Sequence, residues 1–276
     1  TNCDKMLSPI LYGVLLLSPL FFETSDAFST WVMSNPRVAS LRSMDKSRNG
    51  IIVSPSVAKA NFWKLGEDVS AVVEGGAPWL HLSVQDGVFL PKVSLGAPIV
   101  KAIRDNVPDD IVLDVKLSTT APENRISEFA KAGADIISFH PEATAQPMSV
   151  VNQIEKAGCA PGLVLNPGTT VSSVEAMLDY VDIIVVMLVN PGHGGPKYMK
   201  AAVEKIMKLR AICAARGKVP FIEVDGGVST RNAPELIAAG ANVLVAGGSV
   251  FSAADKRGAI DELVGDLDLM MPGRVA

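Results

Sequence analysis

From residue 51 to residue 246 the chain repeats one alternation: a short apolar run rich in β-branched residues, then a segment with helical periodicity. The runs fall at 51–54 (IIVS), 78–84 (PWLHLSV), 111–117 (IVLDVKL), 134–139 (ADIISF), 161–165 (PGLVL), 182–188 (DIIVVML), 219–224 (VPFIEV) and 242–246 (NVLVA). Their near-continuous hydrophobicity fits parallel strands covered on both faces, not half-exposed antiparallel ones. Between them lie amphipathic segments. One is 122–132, with Ile126, Phe129 and Ala130 at helical spacing; another is 198–215, with Met199, Val203, Ile206, Met207, Leu209 and Ile212; a third is 231–239. Eight strand–helix units in about 220 residues is the size and count of a TIM (β/α)8 barrel, an α/β fold. An open doubly wound sheet is the alternative, and eight regular repeats favour closure. Loops are short and 50–265 contains no linker, so 50–276 is expected to be one domain, frayed from Asp266 onward.

The segment before residue 50 reads differently. Met6 to Phe22 is mostly apolar and uncharged, Lys5 precedes it, and Ser25-Asp26-Ala27 supplies small residues at the spacing of a cleavage site. This predicts a signal peptide over 1–27, and two prolines and its short length set it apart from a membrane anchor. Residues 28–49 hold five serines and four basic residues against one acid, Asp45, which is the composition of an organelle transit peptide. A signal followed by a transit segment resembles the two-part plastid presequence of algae with complex plastids. Plastid localisation is therefore expected, with the secretory pathway as the alternative and no membrane span in the mature chain. Net charge is −4 and no basic patch stands out, which argues against a nucleic-acid partner. Three cysteines, Cys3, Cys159 and Cys213, lie far apart and offer neither a disulfide framework nor metal spacing.

In this fold the chemistry sits at the carboxyl ends of the strands. All three histidines fall there: His81 in the second run, His140 after the fourth, His193 after the sixth. So do Ser56, Ser83, Asp86, Asp114, Lys116 and Asp225. Strand alternation places His81, Ser83 and Gln85 on one face, and Asp114 and Lys116 on one face. Three glycine-rich loops follow late strands: Asn190 to Gly195 (NPGHGG), Asp225 to Gly227 (DGG) and Ala246 to Ser249 (AGGS). Glycines let backbone N–H groups approach an anion, a helix start adds favourable partial charge, and phosphate sites in this fold follow strands seven and eight. A bound phosphate is thus expected at Gly226, Gly227, Gly247, Gly248 and Ser249, with Ser56, Gly192, His193, Gly194 and Gly195 completing the substrate site.

These loops carry a resemblance. NPGHGG at 190–195, IEVDGGV at 222–228, VSPSVAKANF at 53–62, AGADIISFHPEA at 132–143 and GLVLNPGT at 162–169 resemble the ribulose-phosphate 3-epimerase family over nearly all of 51–265. The resemblance implies a ribulose-phosphate-binding TIM barrel and an isomerase that interconverts ribulose 5-phosphate and xylulose 5-phosphate, in the pentose phosphate pathway and Calvin cycle. It implies that one aspartate removes the proton at C3 and a second delivers one from the other face. It also implies a divalent metal (zinc, iron or manganese) that stabilises the enediolate, and a homo-oligomer. The family's metal ligands are His and Asp of an H-x-D unit on strand 2, His on strand 3 and Asp on strand 7.

Carried over position by position, His81 and Asp225 are present, while Ser83 stands for the Asp of H-x-D and Lys116 for the strand-3 His. Gln85 and Ser118 stand where methionines cover the family's site, and Met187 remains. Serine is a poor ligand and a very weak base, and a lysine ammonium binds no metal. Lys116 is expected to replace the metal electrostatically, paired with Asp114 or Asp225, so the catalytic set is Asp225, Lys116 and His81 with an incomplete metal set of His81 and Asp225. The stretch Asp114-x-Lys116 weakly resembles the D-x-K of the orotidine-phosphate-decarboxylase group. Two alternatives follow: a metal-independent sugar-phosphate decarboxylase or aldolase relative, and a non-catalytic phosphate-binding paralogue. Asp86 is expected to serve its loop.

Overall fold

The computed structural model describes Leu41, residues 50–192 and residues 199–265. Eight parallel strands follow one another around a ring: β1 (Ile52–Pro55), β2 (Trp79–Gln85), β3 (Val112–Ser118), β4 (Ile136–Phe139), β5 (Ala160–Leu165), β6 (Ile183–Met187), β7 (Phe221–Asp225) and β8 (Val243–Ala246). β1 pairs with β8, Ile52 opposite Val243, and Ser56 just past β1 pairs in parallel with His81 of β2, which carries the ring across its last gap. The barrel expected from the apolar runs is therefore the fold, with every strand end within two residues of its expected place.

The helices are α1 (Leu65–Glu74), α2 (Ala97–Arg104), α3 (Ile126–Lys131), α4 (Pro147–Lys156), α5 (Ala201–Ala215), α6 (Ala233–Ala238), α7 (Gly248–Phe251) and α8 (Lys256–Val264). The β5–β6 crossover uses 3-10 turns, Val171–Ser173 and Glu175–Tyr180, where a helix would be expected. Among the described residues no helix is long and apolar enough to cross a membrane. The buried stripe of α5 is Ala202, Ile206, Leu209 and Cys213, spaced by helical turns, while Met207 and, ahead of the helix, Met199 are exposed, correcting their places in the expected stripe.

Alternation along each strand separates two cores. Outward side chains such as Val53, Leu80, Leu113, Ile137, Leu163, Ile184, Ile222 and Leu244 pack beneath the helices. Inward side chains fill the barrel, and Leu41 packs among them with Ile52, Trp79, Val112, Ile136, Ile183, Phe221 and Val243. Trp79 meets Phe221 edge-on with ring centroids 5.1 Å apart. Leu41 is the one described residue of 28–49; the rest of the expected presequence lies outside the described residues.

Two loops at the amino end of the barrel use the same device. After α3, Gly133 has φ of 100°, Arg104 donates to its carbonyl, and the Asp135 carboxylate accepts the Leu113 N–H at 2.8 Å. After α6, Gly240 has φ of 112°, Arg210 donates to its carbonyl, and Asn242 accepts the Ile222 N–H at 2.7 Å. A left-handed turn favours glycine at each place. The braces fix the heights of β3 and β7, the two strands that supply Lys116 and Asp225.

Candidate active site

Along β2, β3 and β7 the inward side chains turn from apolar to polar or charged toward the carboxyl end. β2 presents Trp79, His81, Ser83; β3 presents Val112, Asp114, Lys116; β7 presents Phe221, Glu223, Asp225. The two-residue pleat puts all of them on the barrel axis. His81, Asp114 and Glu223 are completely buried.

Half-way up, His81 Nδ1 lies 2.5 Å from Asp114 Oδ2 and 3.3 Å from Glu223 Oε1. Burial alone would push this imidazole down; the two carboxyls outweigh it, Asp114 first, and raise it to about 10. His81 is therefore an imidazolium at neutral pH. Burial and the neighbouring Asp114 charge push Glu223 up to about 8, against the pull of His81. Sequence reasoning paired no group with His81 and did not single out Glu223; its inward parity, two residues before Asp225, was the available signal.

One pleat higher, Lys116 and Asp225 meet across the barrel. The Lys116 ammonium donates to Asp225 Oδ2, and its Nζ lies 3.7 Å from Met187 Sδ. Lys116 is only 2% exposed, so it turns inward and not to solvent. Of its two expected partners, Asp225 is the one it meets; Asp114 is taken by His81. His81 Nε2, buried and without a hydrogen-bond partner, lies 3.9 Å from Asp225 Oδ2. Burial would raise the Asp225 carboxyl, but Lys116 and then His81 outweigh it and hold the group below the usual carboxylate range. Asp225 is a carboxylate flanked by two cations.

Above this pair opens a cleft of about 160 Å3 lined by Ser56, Ser83, Lys116, Met187, Gly192 and Asp225, with Gln85, Ser118, Asn190 and Gly226 among its other walls. His81 does not line it and sits beneath its floor. His140 is buried beside it, within 3.0 Å of Ser118 Oγ and packed on Phe89. Burial, then the Lys116 charge, pushes His140 down to about 3 despite Asp225, so this ring is neutral. Asp86 braces its own loop, accepting from the N–H groups of Val88, Phe89 and Thr120.

The glycine loops after β7 and β8 lie side by side, since the Ser249 hydroxyl donates to the Val228 carbonyl at 3.2 Å. Gly226 and Gly227 have φ of 119° and 71°, and a Cβ on Gly226 would come within 2.5 Å of Val189 Cγ2. Gly247 precedes α7, whose first residues are Gly248 and Ser249. Ser249 spends its hydroxyl on holding the two loops together. His193, Gly194 and Gly195 lie outside the described residues.

The four positions that the resemblance gives as metal ligands are His81, Ser83, Lys116 and Asp225. Ser83 offers a neutral hydroxyl. Lys116 brings an ammonium into contact with the Asp225 carboxylate that a metal would need. His81 carries a proton on each ring nitrogen in its cationic form. The set does not fit a divalent ion. His81, Asp114 and Glu223 do bring three donor atoms within 4.8 Å of one another, but this group is closed on itself by the His81–Asp114 contact beneath the floor.

The family model described as "Ribulose-phosphate 3 epimerase family" matches residues 52–251. The chain is 47% identical over 245 residues to the chloroplastic ribulose-5-phosphate-3-epimerase of Arabidopsis thaliana, covering 88% of this chain and 86% of that one. It is 44% identical over 212 residues to the ribulose-phosphate 3-epimerase of a Synechocystis species, covering 76% and 91%. The Bacillus subtilis ribulose-phosphate 3-epimerase is 42% identical over 216 residues, covering 78% and 99%. Among solved structures, KGPDC from Streptococcus mutans superposes with a TM-score of 0.62 at 16% identity, covering 80% and 99%. The 3-hexulose-6-phosphate synthase from Salmonella typhimurium gives 0.60 at 14%, covering 77% and 96%. The last two show the barrel alone.

Proposed function

Because the chain belongs to the ribulose-phosphate 3-epimerase family, a family of isomerases that uses a divalent metal, we propose that its cleft takes ribulose 5-phosphate or xylulose 5-phosphate and makes the C3 proton labile. The observation that carries this reading is the Asp225 carboxylate on the cleft floor, held ionised by Lys116 with His81 below. A carboxylate in that state accepts a proton from carbon only when the charge left on the adjacent oxygen is stabilised. Lys116, buried beside it, holds that charge. Glu223 and Asp114 hold His81 in place at its own level below the cleft floor, and Ser56 and Ser83 offer hydroxyls to the sugar.

In this reading the phosphate lies on the backbone N–H groups of Gly226, Gly227, Gly247 and Gly248. Their side-by-side placement and positive φ values at Gly226 and Gly227 support the assignment. Metal chemistry enters no step, since the donor set does not fit an ion. We place the protein in the plastid, as a homo-oligomer, with 1–27 as signal peptide and 28–49 as transit-peptide-like segment ahead of the single domain 50–276. The composition of those segments and the chloroplastic relative support the location.

The test is calorimetric titration with each pentulose 5-phosphate, and a coupled assay of interconversion from both directions. Binding of neither sugar phosphate refutes the reading. The ammonium at Lys116 favours one second reading: metal-independent decarboxylation or aldol cleavage of another ketose phosphate. Release of carbon dioxide or of an aldehyde from such a substrate, with no binding of pentulose phosphates, would select it.

A further inference from the structure

We propose that this site is a metal-free, single-carboxylate proton-exchange site, in which Lys116 is the built-in cation and Asp225 exchanges the C3 proton of a pentulose 5-phosphate on one face faster than the site inverts that carbon. The proposal rests on the pentulose-phosphate reading above. It joins two observations that a shared cleft makes dependent on each other.

The first is the cation. Lys116 is almost fully buried, contacts Asp225, and reaches it from the opposite side of the barrel, 109 residues away in the chain. The Lys116 ammonium stands against the carboxylate that a metal would bridge, with the Met187 sulfur beside it. A divalent ion entering here would have to displace this ammonium and then find a second anionic donor. Of the described residues lining the cleft, none but Asp225 is anionic. A lysine cation needs no such donors and is already positioned next to the oxygen that gains charge.

The second is the missing face. Inversion at carbon requires a proton acceptor on one side of a planar enediolate and a proton donor on the other. Besides Lys116 and Asp225, the polar residues among the described residues lining the cleft are Ser56, Ser83, Gln85, Ser118 and Asn190. None of them is an acid or base near neutral pH. Asp86 is not available, because its carboxylate accepts three backbone N–H groups of its own neighbourhood. Among the described residues lining the cleft the two ionised groups, Asp225 and Lys116, are in contact with each other, and we assign both to one face.

The step balances without a co-reactant. The C3–H bond breaks and its proton passes to a carboxylate oxygen of Asp225. The electron pair becomes the C2–C3 double bond, and the carbonyl electrons move to the C2 oxygen, where Lys116 holds the charge. The proton on Asp225 exchanges with solvent. A solvent-derived proton then returns to the same face of C3, re-forming the C–H bond and the ketone. Nothing is oxidised or reduced.

The experiment incubates the full chain with ribulose 5-phosphate, and separately with xylulose 5-phosphate, in deuterium oxide with excess chelator. Proton NMR follows loss of the C3 signal and appearance of the other epimer, calorimetry measures sugar-phosphate binding, and elemental analysis measures metal per chain. The expected result is deuterium at C3 at least about tenfold faster than inversion, the same rate with and without chelator, and no stoichiometric metal. Lys116→Met and Asp225→Asn should each abolish the exchange. Ser83→Asp with Lys116→His should bind about one zinc or manganese per chain and bring inversion up to the exchange rate. Inversion as fast as exchange in the unaltered protein, loss of exchange with chelator, or a tightly bound stoichiometric metal would overturn the proposal. Binding without exchange also overturns it while leaving the assignment of a pentulose-phosphate-binding cleft intact; absence of binding removes both. If a variant fails to fold, the chelator, metal and rate-ratio arms on the unaltered protein still decide.

Discussion

Lys116→Met should destabilise the protein through Asp225, and a double-mutant cycle with Asp225→Asn should show it. An ammonium and a carboxylate at roughly 3 Å attract by on the order of 5 kcal/mol at an effective dielectric of 20. The side chains are 3% and 18% exposed, so water reaches Asp225 and lowers the net effect. Removing one partner of a buried pair costs about 3–5 kcal/mol. His81 Nε2, at 3.9 Å from the remaining carboxylate, offsets part of the loss on the Lys116→Met side. The expected figures are about 3 kcal/mol for Lys116→Met, about 2–3 for Asp225→Asn, and a coupling of about 2. Urea unfolding gives each figure, provided the slope with denaturant is unchanged. Since Asp225 is held low, the pair's contribution is present above the ordinary aspartate value and fades as pH falls below it. Losses that add within about 0.5 kcal/mol, or a coupling indifferent to acid, would refute the pairing.

Thermal unfolding should fall as pH rises from about 6.5 to about 10, because folded His81 holds its proton up to about 10 and that stability is lost once it dissociates. Glu223, raised to about 8, adds to the same slope between its ordinary value and 8, so Glu223→Gln should flatten the scan below pH 8. Leu41→Ala should cost about 2 kcal/mol in chemical denaturation, since Leu41 is 5% exposed within the barrel cluster, and a chain starting at Gly50 should lose a similar amount. Gly226→Ala should weaken pentulose-phosphate binding in calorimetry by about tenfold or more, because the φ of 119° and the approach to Val189 force the loop to move.

Much of this molecule was legible in its residues. β-branched apolar runs at regular intervals specify a closed parallel barrel, and Phe129 or Ile206 reveal the helix faces that cover it. Strand parity grouped His81 with Ser83, and Asp114 with Lys116, on one face of their strands, because the pleat repeats every two residues whatever the sheet does. The substitutions at Ser83 and Lys116 were visible once the loops resembled a family. Met207 was misplaced because an apolar side chain on a helix need not face inward when the stripe is already complete.

The sequence by itself settled where the eight strands form and which of their side chains share a face, since both follow from local periodicity. Only the tertiary structure decided who meets whom. Lys116 on β3 meets Asp225 on β7, and Asp114 is left to His81, because strand heights and barrel closure set which inward groups come level across the axis. Glu223 became part of the site for the same reason. Charge and proton state in the cleft follow from those meetings, since electrostatic energy depends on distance through the folded core and not on separation along the chain.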